Sequence, residues 1–250
     1  MSLKSLVVAA GRVAGIDLVR FRSVRHPLGR RARLMAALGV NLVVDVGANR
    51  GQFAAELRRS GYAGRIVSVE ALSEPYGFLA RTAAADPLLT AIHSAVGARR
   101  GRVTMHVAGN AAASSSVLPM LALHARAAPE AEYVGVETVE MRPLDELLQP
   151  HLGDPVTLLL KVDVQGYELE VLSGGSTTLS RSSLIQLEMS LVPLYETAPT
   201  YREMIDFMAH RGFGLVGLEP GFTSEAGVLL QADGLFASEE AYGLLQSGSP

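Results

Sequence analysis

The chain has no cysteine, no tryptophan and no apolar run approaching about 18 residues. Without cysteine there is no disulfide framework, no thiolate zinc site and no thiol nucleophile, and the absence fits a reducing, cytoplasmic setting. A membrane-spanning helix needs a longer apolar run than any present, so none is expected. With no tryptophan, no aromatic-rich basic strand and an acidic body, the composition argues against nucleic acid as a partner. What remains is 250 residues, 48% hydrophobic and 19% charged. That is enough for one domain to bury a sizeable core without covalent staples.

Charge is unevenly spread. Residues 1–40 hold eight Lys/Arg against the single acid Asp17, a charge of +7, so residues 41–250 carry −10 of the total −3. Three segments are expected: a basic helical N-terminal segment over 1–40, a catalytic domain over 41–240 and a tail over 241–250. The start, residues 1–15, reads as an amphipathic helix rather than a signal peptide, because charged Arg12 and Asp17 follow a short apolar stretch. Such an arm can touch anionic lipid headgroups or a phosphorylated carrier as a peripheral contact. Alternatively it is a helical lid whose arginines pair with the acidic body.

Apolar runs at 42–46 and 156–162 have the length and continuity of strands buried on both faces, and 65–70, 89–93 and 184–189 read as further strands. Helical patterns lie between them at 30–38, 51–60, 74–85, 167–172 and 200–211, closed by Gly39, Gly61, Asp86-Pro87 or Gly212. Alternating patterns at 102–107 and 136–142 read as further strands. The last strands, 213–219 and 227–236, have no helix between them. The expectation is a Rossmann-like, doubly wound α/β fold: a mostly parallel sheet with one antiparallel edge strand.

The candidate site begins at 43–52, Val-Val-Asp-Val-Gly-Ala-Asn-Arg-Gly-Gln. An apolar strand enters a glycine-bearing turn, a helix leaves it, and Glu70 ends the next strand 19 residues after Gly51. This is how a doubly wound domain holds a nucleoside cofactor. A dinucleotide fingerprint would require glycine at 49 and 52, where the chain has Asn49 and Gln52, and Asp45 would repel a pyrophosphate. A cationic sulfonium donor, S-adenosylmethionine (SAM), suits the residues better. Asp45 can accept from its ammonium, Gly47, Asn49 and Gly51 shape a turn whose N–H groups meet its carboxylate, and Glu70 can accept from both ribose hydroxyls. Ala71 follows that acid, and His93, Ser94 and Ala95 end the third strand, where an adenine edge would lie.

Lys-Val-Asp-Val-Gln-Gly-Tyr-Glu at 161–168 is the second signal. Lys161 and Asp163 bracket the carboxyl end of an apolar strand, where ligands bind in open α/β sheets. Asp163 is the first candidate for a general base facing the transferable methyl. Glu188, ending a neighbouring strand, is the second; together the two acids can raise each other's pKa or hold a divalent metal. The serine triplet 114–116 lies in a loop that can cover the site.

Several of these pieces resemble the FkbM family of SAM-dependent methyltransferases. They are 45–52, the run Leu-Arg-Arg-Ser-Gly-Tyr-Ala-Gly-Arg-Ile-Val-Ser at 57–68, the serines 114–116, the segment 161–172, Glu188 and Pro193-Leu194-Tyr195. The resemblance covers roughly 30–237. It implies a methyltransferase acting on a hydroxyl, of a sugar on a glycolipid or of a polyketide-like natural product. The branch with Gln before the glycine resembles actinobacterial glycopeptidolipid and glycosyl methyltransferases. Ala71 stands where relatives usually have Pro, Val164 where this branch often has Thr, and Glu168 where it often has Asp; none of these removes a charge the site uses. An N- or carboxyl-directed methyltransferase, or a SAM-binding protein without catalysis, are the alternatives on this fold.

Overall fold

The computed structural model describes Val7, 13–16 and 23–247. Most of the amphipathic helix expected over 1–15, with Lys4 and Arg12, lies outside the described residues, as do Arg20, Arg22 and 248–250. The described elements in chain order are α1 (Pro27–Leu38), β1 (Leu42–Val46), α2 (Gln52–Ser60), β2 (Arg65–Glu70), α3 (Ser73–Ala84), β3 (Leu89–His93), β4 (Ala95–Val96), β5 (Gly101–Ala108), α4 (Ala122–Ala127), β6 (Tyr133–Arg142), α5 (Leu144–Leu148), β7 (Leu158–Val162), α6 (Glu168–Ser173), α7 (Ser176–Ser180), β8 (Ser182–Ser190), α8 (Tyr201–Ala209), β9 (Phe213–Pro220), β10 (Gln231–Ser238) and α9 (Glu239–Gln246). Among the described residues no helix is long and apolar enough to cross a membrane.

Seven strands form the main sheet in the order β3-β2-β1-β7-β8-β10-β9. β3, β2, β1, β7 and β8 are mutually parallel. The antiparallel pairing is at the other side, where β10 runs against both β8 and β9. β10 starts at Gln231, later than the run beginning at 227 suggested, because 224–227 close a turn in which Ser224 N–H bonds Val228 O. The strands at 101–108 and 133–142 do not enter this sheet. They form an antiparallel pair that joins the two-residue β4 in a separate three-stranded sheet.

Alternation along each strand divides the core in two. Leu42, Val44, Val46, Leu158, Leu160 and Val162 pack on one face against α5, α6 and α8. Val43, Leu159, Leu184 and Leu235 pack on the other against Met35, Ala54, Leu57 and Ala241 of α1, α2 and α9. The segment boundaries shift accordingly. α1 buries Arg31 and Met35 against the domain, so 40 is not a structural border. Residues 241–246 are not a tail but most of α9, capped by the Ser238 hydroxyl accepting from Ala241 N–H and anchored by Ala241.

On this second face the strands change character halfway. Two residues on from Val43 comes Asp45, from Leu159 Lys161, and from Leu184 Gln186; two before Leu235 is Asp233. In the parallel strands the amino half is core and the carboxyl half polar, in antiparallel β10 the order is reversed, and that polar half of the sheet floors the site.

Candidate active site

A cavity of about 460 Å³ opens at the carboxyl edge of β1, β2 and β7. Gly47, Ala48, Glu70, Ala71, Ser94 and Ala95 line one end, and Asp45, Lys161 and Asp163 border its middle. The turn after β1 is shaped by its own side chains. Asn49 adopts φ 47° and accepts from Arg50 N–H and the Gln52 amide through Oδ1. Gly51, at φ 87°, caps α2 but does not line the cavity. Gly47 is required before any ligand is considered: at φ 82°, a Cβ there would lie 1.8 Å from the Asp163 carbonyl oxygen.

Glu70 is buried, and each carboxylate oxygen already accepts one backbone N–H at 2.8 Å, from Asn49 and from Leu72. It therefore ties the β1 turn to the start of α3, and each oxygen keeps a lone pair for a further donor. Burial pushes its pKa up to about 7, against the pull of those N–H groups. At the third strand the residues separate. Ser94 and Ala95 line the cavity, but the Ser94 hydroxyl is spent on the carbonyls of Ala95 and Glu140. His93 turns away, bonding Ala71 O at 3.0 Å and stacking on Tyr76, so it is not a cavity group.

Asp45 is fully buried and neither of its oxygens receives a hydrogen bond. Lys161 Nζ lies 3.6 Å from its Oδ1 and 3.0 Å from Asp163 Oδ2. Burial alone would drag the Lys161 ammonium down, but Asp163 and Asp45 more than reverse this and hold it above its ordinary value. Burial pushes Asp45 up despite Lys161. Of the three, only Asp163 presents its charge outward, its side chain 30% exposed against 11% for Lys161 and 0% for Asp45.

Asp163 and Glu188 are not direct neighbours in one crevice. The Gln165 amide stands between them, donating to Asp163 Oδ1 at 3.0 Å and to Glu188 Oε2 at 2.5 Å, and Glu188 does not line the cavity. Gln231 donates to the same Glu188 oxygen. Burial, then Asp163, Glu168 and Asp233, push Glu188 well above the usual carboxylate range. A hydrogen-bond donor thus occupies the position a divalent cation would take between the two acids. Among the described residues no group of three or more His, Asp or Glu is arranged to hold a metal ion.

Gln165 is itself fixed from three sides. The Tyr195 hydroxyl donates to its Oε1 at 2.6 Å, the Ser116 hydroxyl donates to its carbonyl at 2.7 Å, and its backbone sits at φ 57°. Such a conformation costs about 1–3 kcal/mol in a non-glycine residue and persists only where the surroundings impose it. Buried Glu168 completes the loop, one oxygen accepting from Val164 N–H and Gly166 N–H; burial pushes its pKa up to about 7. Gln165 and Tyr195 belong to segments that carry the family resemblance but have no role assigned there, and Gln231 is not singled out by the sequence, because these residues come together around Glu188 only through the fold.

The residues fit SAM on two observations. A buried carboxylate at Asp45 that accepts no hydrogen bond wants donors such as an ammonium. Glu70 offers two spare lone pairs at the tip of β2, where a ribose diol can donate to both.

A model of the methyltransferase FkbM domain matches residues 45–215, more than half of the chain. No curated protein matches the sequence. Among solved structures, the chain is similar to the FkbM methyltransferase of Methylobacillus flagellatus KT at 15% identity and TM-score 0.46, covering 79% of this chain and 43% of that one. The chain thus spans less than half the length of that relative. It is similar to the precorrin-6y C5,15-methyltransferase of Geobacter metallireducens GS-15 at 14% identity and TM-score 0.43, covering 83% and 86%. An O-methyltransferase of neocarzinostatin biosynthesis, solved with SAM and 2-hydroxy-5-methyl naphthoic acid, aligns at 9% identity and TM-score 0.42, covering 83% and 52%. By the match over 45–215, the chain belongs to the FkbM family of SAM-dependent methyltransferases.

Proposed function

We propose that the protein methylates a hydroxyl, of a sugar carried on a glycolipid or natural product. The reading rests on Asp163: an outward-facing carboxylate, held by Lys161 and Gln165, in the same cavity as Glu70. Glu70 would hold the ribose of SAM, Ala71, Ser94 and Ala95 the adenine, the N–H groups around Gly47 and Asn49 the carboxylate, and Asp45 the ammonium. When bound, SAM supplies an electrophilic methyl on a positively charged sulfur. Lys161 holds one oxygen of Asp163, and the carboxylate would accept the hydrogen bond of the acceptor hydroxyl and then its proton as the oxygen becomes a nucleophile. Gln165 fixes the direction of that carboxylate, which is the positioning part of the rate. Glu188, behind Gln165, is a neutral or hydrogen-bonded support rather than the base.

The test combines calorimetric SAM binding with transfer of labelled methyl to glycosides and glycolipids, using Asp163→Asn and Glu188→Gln. Asp163→Asn should keep SAM affinity and lower turnover by about 100-fold or more; Glu188→Gln should retain turnover within about fivefold, since it replaces a group held largely neutral. An ether product resists mild base, whereas a methyl ester would be hydrolysed. Full turnover in Asp163→Asn would remove the base assignment, and an ester product would remove the hydroxyl acceptor.

A further inference from the structure

The cavity does not end at the cofactor cradle. Beyond Asp45 and Lys161 it continues under α1 and α2, where Leu28, Arg31, Phe53, Glu56, Glu219 and Asp233 line it. Leu28 and Phe53 give this end apolar walls, and polar groups give it a floor. Arg31 is buried and already spent: it donates to Gln186 Oε1 at 3.0 Å, pairs with Glu56, lies 4.0 Å from Glu219 and sits over the Phe53 ring. Asp233 differs. Its register neighbours are Glu188 on β8 and Glu219 on β9, and among the described residues its side chain has no hydrogen bond or ion pair. Over the whole cavity six carboxylates, including Asp45, which accepts no hydrogen bond, face three cations, Arg31, Arg59 and Lys161.

Resting on the reading of a sugar hydroxyl acceptor, we propose that this end is the acceptor subsite, that Asp233 binds acceptor hydroxyls or an amine there, and that the site takes a neutral or amine-bearing polyhydroxylated ring and rejects one carrying phosphate or carboxylate. Hydroxyls donate to carboxylates in bonds stronger than those between neutral groups, and an ammonium gains further. A phosphate carries nearly two negative charges. It would meet Asp233 and Glu219 beside an Arg31 already engaged on three sides, and among the described lining residues only Arg59, which is exposed, is a guanidinium without a partner. An excess of like charge in a partly buried cavity discriminates more strongly than the same charges on an open surface.

The experiment is ligand-observed saturation-transfer NMR on the full chain. The probes are methyl glucoside, glucosamine and glucose 6-phosphate at equal concentration. The neutral and amine probes should give signals and glucose 6-phosphate one at least about tenfold weaker. Asp233→Asn should narrow the gap between phosphate and neutral probes, and Glu219→Gln should do so to a smaller extent. Phosphate binding as well as the neutral ring overturns the proposal, as does silence from all three probes or an unaltered order in both folded variants. Calorimetric SAM titration of the same samples is read separately. A wild-type protein that binds glucosamine but not SAM would fail the methyltransferase reading and leave the charge preference standing.

Discussion

Glu70 should couple SAM affinity and folding stability to pH in opposite directions. Burial sets its pKa at about 7 in the folded chain, against an ordinary value of 4.5. A carboxyl raised on folding contributes stability that is fully present below its unfolded pKa and is lost as pH rises through its folded one. That contribution should therefore decline between about pH 4.5 and pH 7, by roughly 3 kcal/mol if the whole displacement is realised. Binding runs the other way. Ribose hydroxyls donate, so the ionised carboxylate is the better partner, and SAM affinity should rise with pH until Glu70 is ionised. About one tenth is ionised at pH 6, which predicts affinity about tenfold weaker at pH 6 than at pH 8. The assays are calorimetric titration of SAM and urea denaturation across pH 5.5–8.5. Glu168 and Asp233, raised to about 7 and about 6, titrate in the same window and contribute to the denaturation trace. Glu70→Gln isolates the binding effect: it should bind weakly at every pH and lose the slope. A wild-type affinity flat between pH 6 and 8, or a slope that survives in Glu70→Gln, would refute the reasoning.

Two further substitutions test the frame of the site. Gly47→Ala places a methyl against the Asp163 carbonyl at a positive φ, so it should cost at least about 3 kcal/mol by urea denaturation; a wild-type midpoint would mean the β1 turn and the β7 loop are not in contact. Tyr195→Phe removes the donor to Gln165 Oε1 and Ser114 O, costing about 1–3 kcal/mol in the same assay; labelled-methyl transfer should fall more than SAM affinity, and an equal fall in both would argue against a positioning role for Gln165.

Much of the main sheet is legible because its signals are local. Four apolar residues around Asp45 at 42–46 mark a strand buried on both sides, and an acid ending the next strand stands out against it. The three-stranded sheet is not legible: 101–108 and 133–142 alternate as any half-exposed strand does, and the two residues of β4 that recruit them are too few to carry a period. The same limit divides the site. Asp45, Glu70, Lys161 and Asp163 announce themselves as charges at the ends of apolar strands. Arg31 meets Gln186 across 155 positions of sequence, and Asp233 meets Glu188 only because β10 inserts antiparallel beside β8. Arg31 therefore looks like one more charge in a basic arm, and Asp233 like a polar residue on an outer strand.

The charged half of the sheet also explains why the family chemistry suits this cavity. Buried ions are costly unless paired, and the chain pairs only some of them: Lys161 serves Asp45 and Asp163, and Arg31 serves Glu56 and, more distantly, Glu219. Glu70 is satisfied by two backbone N–H groups, which leaves Asp45 ion-paired to Lys161 but with no hydrogen bond, and Asp233 with no side-chain hydrogen bond or ion pair among the described residues. A site with that surplus attracts positive charge. It favours a sulfonium donor over the uncharged thioether that donor becomes, so the field that gathers the cofactor weakens its hold once the methyl has left. A pyrophosphate-bearing dinucleotide would meet the same field with the wrong sign. Asn49 and Gln52, where a dinucleotide turn needs glycine for close approach, and the buried acid at Asp45, which disfavours a pyrophosphate, are thus two independent arguments against a dinucleotide.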